Sequence, residues 1–252
     1  MFNRIKGTQD FLDLTLFNFI IQKAKEWLLL HNFAEVSTPI IEPIQLFERS
    51  LGIDTDVIAK EIYLVSNTKD DTHAICLRPE LTAPLVRAFV NSGIDSLPWK
   101  AFTYGPVFRH ERPQKGRYRQ FHQVSIEVIG AQAIAQDAAL ISMLDKLFLE
   151  KLSLTSYALL LNFLGCEADQ NRFKNILKTF LDSQAGLCET CLIRKEKTVL
   201  RIFDCKSSEC QAVYKQAPKT VEHLCIDCTK EWSELQSLLY QLSVSFSIDP
   251  WL

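Results

Sequence analysis

The sequence lacks any long apolar run, and this absence argues against one class of protein. No segment approaches the roughly 18 uninterrupted apolar residues that a membrane-spanning helix needs. The first residues, MFNRIKGTQDF, also lack an apolar core of the length that a signal peptide requires. The sequence therefore predicts a cytoplasmic protein that has no membrane partner.

Net charge of either sign is nearly absent as well. The 28 Lys and Arg residues almost balance the 30 Asp and Glu residues, so the formal net charge is −2. This balance excludes a global basic field for nucleic acid, and any RNA contact must use local patches. An apolar content of 47% over 252 residues is ordinary for a globular chain of one large domain or two smaller ones.

Cysteine, in contrast, is plentiful. Eight cysteines in a chain without an export signal fit metal binding or free thiols better than disulfides. Two C-x2-C pairs, Cys188/Cys191 and Cys225/Cys228, are separated by 33 residues and predict one structural zinc site with four thiolate ligands. Free buried cysteines are the alternative interpretation. Three further residues are possible alternative ligands: Cys205, Cys210 and His223.

The stretch 101–130 predicts a strand, a basic loop and a second strand. The loop, 109–119, carries five basic residues against one acid. Along the second strand the side chains alternate between two faces. We expect the apolar face to be core: Val124, Ile126 and Val128. The opposite face is a polar row: Gln123, Ser125 and Glu127.

The loop and the polar row together predict a phosphate clamp beside a small polar pocket. Arginine forks suit phosphate oxygens, and Glu111 either holds an arginine in position or accepts from a ligand amine. Gln123 and Glu127 suit a small molecule that is cationic or donates hydrogen bonds. The alternative is a solvated loop whose arginines pair with nothing in particular.

A second candidate position lies where an apolar strand ends in Arg78-Pro79-Glu80 and a helix begins at Thr82. A carboxylate at such a junction is well placed to face a pocket. It also interacts favourably with the dipole at the start of a helix. The residues alone leave both roles of Glu80 open.

Four segments of the chain resemble the histidyl-tRNA synthetase family of class II aminoacyl-tRNA synthetases. VFRHERPQKGRYRQFHQVSIEVIG resembles motif 2, and FAEVSTPIIEP resembles motif 1, with Pro39 at the position of its proline. KGTQDF resembles the N-terminal signature. RPELTA resembles the RPEGT motif, with Leu81 where glycine is usual. That change is costly if the backbone must approach the ligand closely, and tolerable if the position only turns the chain.

The resemblance implies roles for particular residues. Arg109 would be the catalytic residue that holds the ATP α-phosphate, and Glu111 and Arg117 would help to place the nucleotide. Mg2+ would bridge the phosphates. Glu80 and Thr82 match residues that hold the α-amino group of histidine. The remaining histidine-binding residues would be these: Gln123 and Glu127, with Glu127 facing the imidazole.

The resemblance also implies a fold. We expect an α+β protein with an incomplete class II antiparallel sheet flanked by helices, and a mainly helical insertion domain. The predicted divisions are a catalytic core over 1–164, an insertion domain with the zinc site over 165–243, and a return strand over 244–252. Family members continue into motif 3 and an anticodon-binding domain. We therefore expect a fragment truncated before motif 3, without detectable histidine-dependent ATP–pyrophosphate exchange by itself.

The implied function is that of a histidine–tRNA ligase. Such an enzyme converts histidine and ATP to histidyl-adenylate and transfers histidine to tRNA-His. It acts as a homodimer through the motif 1 region. One alternative is the histidine-binding regulatory subunit of ATP phosphoribosyltransferase, which the intact ATP-facing residues and the cysteine pairs disfavour. Another is a fragment without catalytic activity that binds tRNA or dimerises.

Overall fold

In the computed structural model, the protein is described over residues 2–52, 55, 57–65, 74–131 and 133–252. Two compact units make up the chain, Met1–Ala131 and Gln132–Leu252. Both units combine helices with β-strands, and antiparallel pairing predominates among the strands. No helix in the described ranges has both the length and the apolar character needed to cross a bilayer.

A long hairpin dominates the first unit. Strand β5 (Trp99–Phe108) pairs antiparallel with β6 (Gln120–Ile129) in one unbroken register, from Trp99↔Ile129 to Phe108↔Gln120. Strand β1 (Ala34–Glu35) adds to β5 in parallel. The predicted order of strand, basic loop and strand is therefore confirmed.

A second sheet leads into the candidate site. Its order is β2–β4–β3, with both pairs antiparallel, and its strands are β2 (Ile41–Pro43), β3 (Tyr63–Val65) and β4 (Ile75–Leu77). The helices of this unit are α1 (Thr15–Leu30), α2 (Ile44–Leu51) and α3 (Thr82–Ser92), and a π-helical turn spans Val57–Glu61. Phe47, Cys76 and Ala83 form an apolar core that joins α2, β4 and α3. This packing fixes the start of α3.

One prediction about β6 is wrong in part. On the face predicted to be core, Phe102 is buried opposite the half-buried Ile126. Val124, however, is 40% exposed, and its cross-strand partner Tyr104 is 37% exposed. Alternation sets the face of a residue correctly, but coverage of that face by other elements decides its burial.

The second unit is mainly helical. Its helices are α4 (Ile134–Lys146), α5 (Glu167–Asp182), α6 (Glu189–Lys197), α7 (Ser208–Tyr214) and α8 (Ile226–Gln241). A π-helical turn follows α4 at Leu147–Lys151, and 3-10 turns lie at Val199–Asp204 and Thr220–His223. The short strands β7 (Leu160–Leu161) and β8 (Ser247–Ile248) pair in parallel.

The compact units divide at a different place from the predicted domains. Helix α4 belongs to the second unit because Ala138 packs in one apolar cluster with Trp232 and Leu239 of α8. Strand β7 belongs there because it pairs with β8. The predicted boundary at residue 164 separates a catalytic core from an insertion, and that functional division stays a prediction.

Candidate functional site

A hydrogen-bonded cluster forms where β6 meets the start of α3. Strand alternation places Ser125 and Glu127 on one face of β6. Thr82 Oγ1 donates to Glu127 Oε1 at 2.7 Å, and Ser125 Oγ donates to the same oxygen at 2.9 Å. The two hydroxyl oxygens are 3.1 Å apart. The carboxylate is thereby held in one orientation, and an ionised carboxylate still has acceptor capacity left for a ligand.

The structure thus brings two of the predicted histidine-binding residues, Thr82 and Glu127, into direct contact. Ser125 joins them, although sequence reasoning assigned it no role in the site. The available signal was its position in the polar row between Gln123 and Glu127. Gln123 lies on the same strand face, half-buried, and pairs across the hairpin with Gly105.

Glu80 lies beside this cluster and caps α3. Its Oε2 accepts from the backbone N–H of Thr82 at 2.7 Å, and its Oε1 accepts from the N–H of Ala83 at 2.9 Å. These contacts satisfy amides at the start of the helix that have no partner within it. The helix-start role is therefore present. A role towards a ligand amine stays a prediction, and each oxygen retains a lone pair for it.

Leu81 occupies an ordinary backbone conformation. Its φ of −111° and ψ of −17° are accessible to any L-residue, so the chain needs no glycine there to turn. The Leu81 side chain is 1% exposed and packs in the interior. Leu81 is therefore compatible with the turn itself.

Arg78 is a buried arginine that holds together the backbone segments next to the candidate site. Arg78 is 3% exposed, and burial lowers its pKa. Its Nη1 donates to the carbonyl oxygens of Thr38 at 2.9 Å and Pro39 at 3.3 Å, and its Nε donates to Pro106 at 3.0 Å. A Cβ at Gly105 would lie 2.5 Å from Arg78 Nη2. Arg78 thus ties the β1–β2 connection to β5, a role that sequence reasoning missed.

Arg109 is held at the mouth of the hairpin loop. Its Nε donates to the carbonyl oxygen of Pro79 at 2.9 Å, and its guanidinium lies over the Phe121 ring at 5.4 Å from the centroid. Pro79 directly precedes Glu80, so this contact anchors Arg109 next to the helix start. Because Nε is the anchored atom, the two terminal nitrogens keep the fork geometry that suits two phosphate oxygens.

Two further arginines of the loop, Arg117 and Arg119, also have partners. Arg117 Nη1 pairs with Glu111 Oε2 at 3.1 Å, and Arg119 Nε donates to the carbonyl oxygen of Glu111 at 3.2 Å. The N–H of Arg119 donates to the carbonyl oxygen of Gly7 at 2.7 Å. The alternative of a loop with unpaired arginines is therefore wrong for Arg109, Arg117 and Arg119. Glu111 holds an arginine, as one of the two predicted roles required.

A groove borders the same helix start. It has a volume of about 790 Å3 between α2 and α3, and Glu80 and Thr82 contribute to its lining. Val86 and Leu46 provide apolar walls, and Arg87 lines the groove while pairing with Glu42 at 2.6 Å. The groove offers space for a small ligand next to two predicted histidine-binding residues.

The cysteines of the second unit assemble differently from the prediction. Cys188 and Cys191 lie with Cys205 and Cys210, whereas Cys225 and Cys228 lie with Cys166 and Asp169. Within each group the possible ligand atoms lie within 4.8 Å of one another. The structure therefore does not bring the two C-x2-C pairs together into the predicted four-thiolate site, because the start of α6 lies with Cys205 and Cys210, whereas the start of α8 lies with the start of α5. His223 belongs to neither group among the described residues.

Two thiols of the first group have pKa values that are shifted in opposite directions. Burial raises the pKa of Cys191 to about 12. Burial acts in the same direction on Cys210, but hydrogen bonds from the backbone N–H and thiol of Cys188 outweigh it and lower the pKa of Cys210 to about 7. Such a thiol is partly ionised near neutral pH.

The match to a known family identifies the class of protein. Residues 63–248 match the family described as tRNA synthetase class II core domain (G, H, P, S and T). The chain belongs to this family. Its mixed architecture, with antiparallel pairing predominant and helices flanking the sheets, matches solved histidyl-tRNA synthetases.

Similarity to individual proteins within this family is more specific. The chain is 39% identical over 254 residues to a histidine–tRNA ligase of Thermodesulfovibrio yellowstonii, covering 99% of this chain and 60% of that protein. It superimposes on the apo S. aureus histidyl-tRNA synthetase with a TM-score of 0.74 and 25% identity, covering 99% of this chain and 57% of that one. The chain thus spans about 60% of the length of the curated relative.

A further solved structure shares the fold alone. It is described as an ATP phosphoribosyltransferase regulatory subunit/histidyl-tRNA synthetase from Bacillus halodurans. The TM-score is 0.67 and the identity is 17%, over 100% of this chain and 69% of that one.

Proposed function

We propose that this chain forms the part of a histidine–tRNA ligase that binds histidine and the α-phosphate of ATP. The observation that carries the proposal is the Glu127 carboxylate, which Thr82 and Ser125 hold in place at the start of α3. A fixed anionic acceptor suits an imidazole N–H. The 39% identical relative that bears the name histidine–tRNA ligase supports the same substrate.

In this proposal each side chain has one role towards histidine or ATP. Glu127 accepts from the imidazole, and Gln123, on the same strand face, makes a second contact to the ring. Glu80 receives the α-ammonium group with lone pairs that the α3 amides leave available. Thr82 contributes its hydroxyl beside that group. Together these groups select an amino acid with a donor at both ends.

Arg109 acts on the nucleotide. As the carboxylate oxygen of histidine attacks the α-phosphorus, pyrophosphate leaves and negative charge develops on the α-phosphate oxygens. The guanidinium, anchored on Pro79, neutralises that charge by position rather than by covalent chemistry. Arg117, paired with Glu111, helps to place the nucleotide. Mg2+ bound with ATP would supply further neutralisation of the phosphate charge.

Transfer to tRNA-His, dimerisation and a cytoplasmic location belong to the same proposal. For dimerisation, the support is the exposed apolar surface that follows Pro39, where Ile40 is 42% exposed and Ile41 is 53% exposed. Such adjacent apolar side chains suit an interface between copies of the chain. The names of the relatives support the tRNA substrate.

The alternative is a histidine-binding regulatory subunit, because a protein of that description shares the fold. ATP binding distinguishes the two functions. A synthetase core binds ATP, with Arg109 at the α-phosphate, because it must activate histidine. A regulatory subunit of this kind binds histidine and does not aminoacylate tRNA.

Calorimetric titration of the 252-residue chain with histidine tests the proposal. We expect Glu127→Gln to weaken histidine binding by about 10- to 100-fold, because a hydrogen bond to a charged group is lost. Glu231→Gln is the matched control, since Glu231 is exposed on α8 in the second unit, and it should bind as the wild type does. Equal affinity of the Glu127→Gln variant and the wild type would contradict the proposal.

A parallel titration with ATP separates the two candidate functions. Arg109→Ala should reduce ATP affinity and leave histidine affinity unchanged, because in this proposal Arg109 acts towards the phosphate and makes no contact with histidine. Arg112→Ala, in the same loop and exposed, should bind ATP normally. Histidine binding with no ATP binding by the wild type would favour the regulatory function instead.

A further inference from the structure

The second unit contains two separate groups of four possible metal ligands, and the sulfur atoms of the first lie close enough to share one ion. The sulfur atoms of Cys188, Cys191, Cys205 and Cys210 lie within 4.8 Å of one another. Cys188 Sγ and Cys205 Sγ are 3.8 Å apart. Two sulfurs bound tetrahedrally to zinc at about 2.3 Å are roughly 3.8 Å apart, so this separation fits a shared ion. All four cysteines are free of disulfides.

The second group has three sulfurs and one carboxylate. Cys166 precedes α5 and Asp169 lies in its first turn, while Cys225 precedes α8 and Cys228 lies in its first turn. The C-x2-D spacing of the first pair repeats the C-x2-C spacing of the second. The N–H of Cys166 donates to Cys228 Sγ at 3.2 Å, and the N–H of Cys228 donates to Cys225 Sγ at 3.4 Å. Both N–H groups therefore point towards sulfur atoms of this group.

The strongest evidence for a bound cation is the environment of the Asp169 carboxylate. The residue is 1% exposed, and its Oδ1 accepts from the N–H of Cys225 at 2.9 Å and from Arg172 at 3.0 Å. Its Oδ2 is buried and has no N–H or O–H donor among the described residues. The neighbouring groups are thiols, chiefly that of Cys228, which are weak donors. A buried carboxylate oxygen without a strong partner is costly, and a bound cation would satisfy it.

The backbone makes room for this oxygen. Gly165 has a φ of +70°, and a Cβ there would lie 2.7 Å from Asp169 Oδ2. A glycine at this position therefore allows the carboxylate to approach the chain at the start of α5. Buried cysteines can act simply as small apolar residues, but that interpretation does not account for a carboxylate buried among them.

We propose that the second unit binds two structural metal ions. One is held by the thiolates of Cys188, Cys191, Cys205 and Cys210, and the other by Cys166, Cys225, Cys228 and the carboxylate of Asp169. Soft thiolate ligands in tetrahedral groups select zinc. Four protein ligands fill each site, so both ions stabilise the fold and neither has an open position for catalysis. The second ion joins the N-terminal ends of α5 and α8. This inference is independent of the proposed ligase function.

Metal analysis of the purified 252-residue chain, with thiol titration, tests the proposal. The wild type should contain about two zinc ions per chain. Cys188→Ser should retain about one, and Asp169→Asn should also retain about one, because a neutral amide is a much poorer zinc ligand than a carboxylate. After cadmium replaces zinc, the wild type should give two cadmium NMR resonances, one from a four-sulfur and one from a three-sulfur, one-oxygen environment.

Three variants serve as controls. Cys76→Ser removes a buried thiol from the first unit and should retain both ions. Arg172→Gln removes the ion pair with Asp169 but keeps the carboxylate, and should also retain both. Asp169→Cys replaces the oxygen ligand with a sulfur. It should retain both ions and move only one cadmium resonance.

Three results would overturn the proposal. The first is a wild type without zinc whose eight thiols all react freely. The second is one ion that both Cys188→Ser and Asp169→Asn abolish, since that would indicate a single shared site. The third is Asp169→Asn with both ions retained, which would remove Asp169 as a ligand. If Asp169→Asn fails to fold, the two wild-type cadmium resonances decide the question, and a single resonance overturns the proposal.

Discussion

At the scale of single residues, the candidate site depends on how one carboxylate is held. Glu127 receives two hydroxyl donors on the same oxygen, from Thr82 of α3 and Ser125 of its own strand. A ligand that binds Glu127 then meets an acceptor whose orientation is already set, and it avoids the entropy loss of ordering that side chain. The hydroxyl of Thr82 links the start of α3 to the hairpin.

Removing that hydroxyl tests the link. We expect Thr82→Val, which keeps the branched shape, to weaken histidine binding by about tenfold, because Glu127 loses one of its two donors. Thr82→Ser keeps the hydroxyl and should bind histidine nearly as the wild type does. Calorimetric titration of both variants makes the comparison. Equal affinities for Thr82→Val and Thr82→Ser would show that the hydroxyl has no part in the site.

The buried guanidinium of Arg78 gives a second prediction at this scale. Arg78→Ala removes the donor to the carbonyl oxygens of Thr38 and Pro106, and we expect the free energy of unfolding to fall by about 3 kcal/mol. Arg49→Ala is the control, because Arg49 is exposed on α2, and it should change stability by less than about 0.5 kcal/mol. Urea unfolding measures both, and similar losses would argue against the buried anchor.

Some of these residues could be predicted from the sequence and others could not. Glu127 was selected by its place in the polar row of β6 and Thr82 by the resemblance of RPELTA to a family motif, and the structure joins them. Arg78 was missed because its partners are backbone carbonyls, which carry no signal in the residue types. Asp169 was missed because a carboxylate in a C-x2-D pair resembles any surface acid until its burial is known.

At the scale of elements, the β5–β6 hairpin organises the first unit, and the N-terminal segment docks on its loop. The carbonyl oxygen of Gly7 accepts from the N–H of Arg119, and Arg119 in turn contacts Glu111. The backbone at Gly7 has a φ of +89° and leaves little space for a side chain. The N-terminal segment therefore supports the loop that carries the predicted nucleotide-binding residues.

Alanine substitution at Gly7 tests this docking. A Cβ there would approach Arg119 Cγ to 2.9 Å and Pro113 Cγ to 3.0 Å. Gly116, with a φ of +80° and nothing within 4 Å, is the matched control. An alanine at positive φ costs about 1 kcal/mol at either position. We expect Gly7→Ala to lower the free energy of unfolding by about 1 kcal/mol more than Gly116→Ala, because of overpacking.

Chemical denaturation of the two alanine variants gives this difference directly. If Gly116→Ala destabilises the protein as much as Gly7→Ala, backbone strain alone explains the loss, and the docking contact contributes nothing.

The elements were predictable to different degrees. Alternation along β6 and the apolar run of β5 gave the hairpin, because both signals are local. The exposure of Val124 was not predictable, since it depends on what covers that face of the sheet. The grouping of the cysteines depended likewise on the packing of α5 against its neighbours, and equal spacing within two pairs carries no information on whether they share a site.

At the scale of the whole molecule, the chain is two compact units with different means of stabilisation. The first unit contains the candidate ligand-binding residues on a hairpin and its adjoining helix. The second contains seven of the eight cysteines and, in our proposal, two metal ions. The division at 131/132 differs from the predicted boundary at 164 because long-range packing places α4 on α8.

Removal of the metal should therefore change hydrogen exchange in the second unit and not in the first. We expect a zinc chelator to increase hydrogen exchange of amides in α5 and α8, because the second proposed ion joins their N-terminal ends. Amides of β5 and β6 should keep their protection. Mass spectrometric detection of exchange, with and without chelator, measures this, and unchanged protection in α5 and α8 would contradict a structural role for the metal.

In the proposed function Glu127 recognises the imidazole of histidine, and a crystal structure of the chain with bound histidine tests this recognition. We expect an imidazole nitrogen within hydrogen-bond distance of Glu127, the α-amino group near Glu80 and Thr82, and the hydroxyl contact of Ser125 with Glu127 preserved. Histidine bound elsewhere, with Glu127 contacting only Thr82 and Ser125, would contradict it.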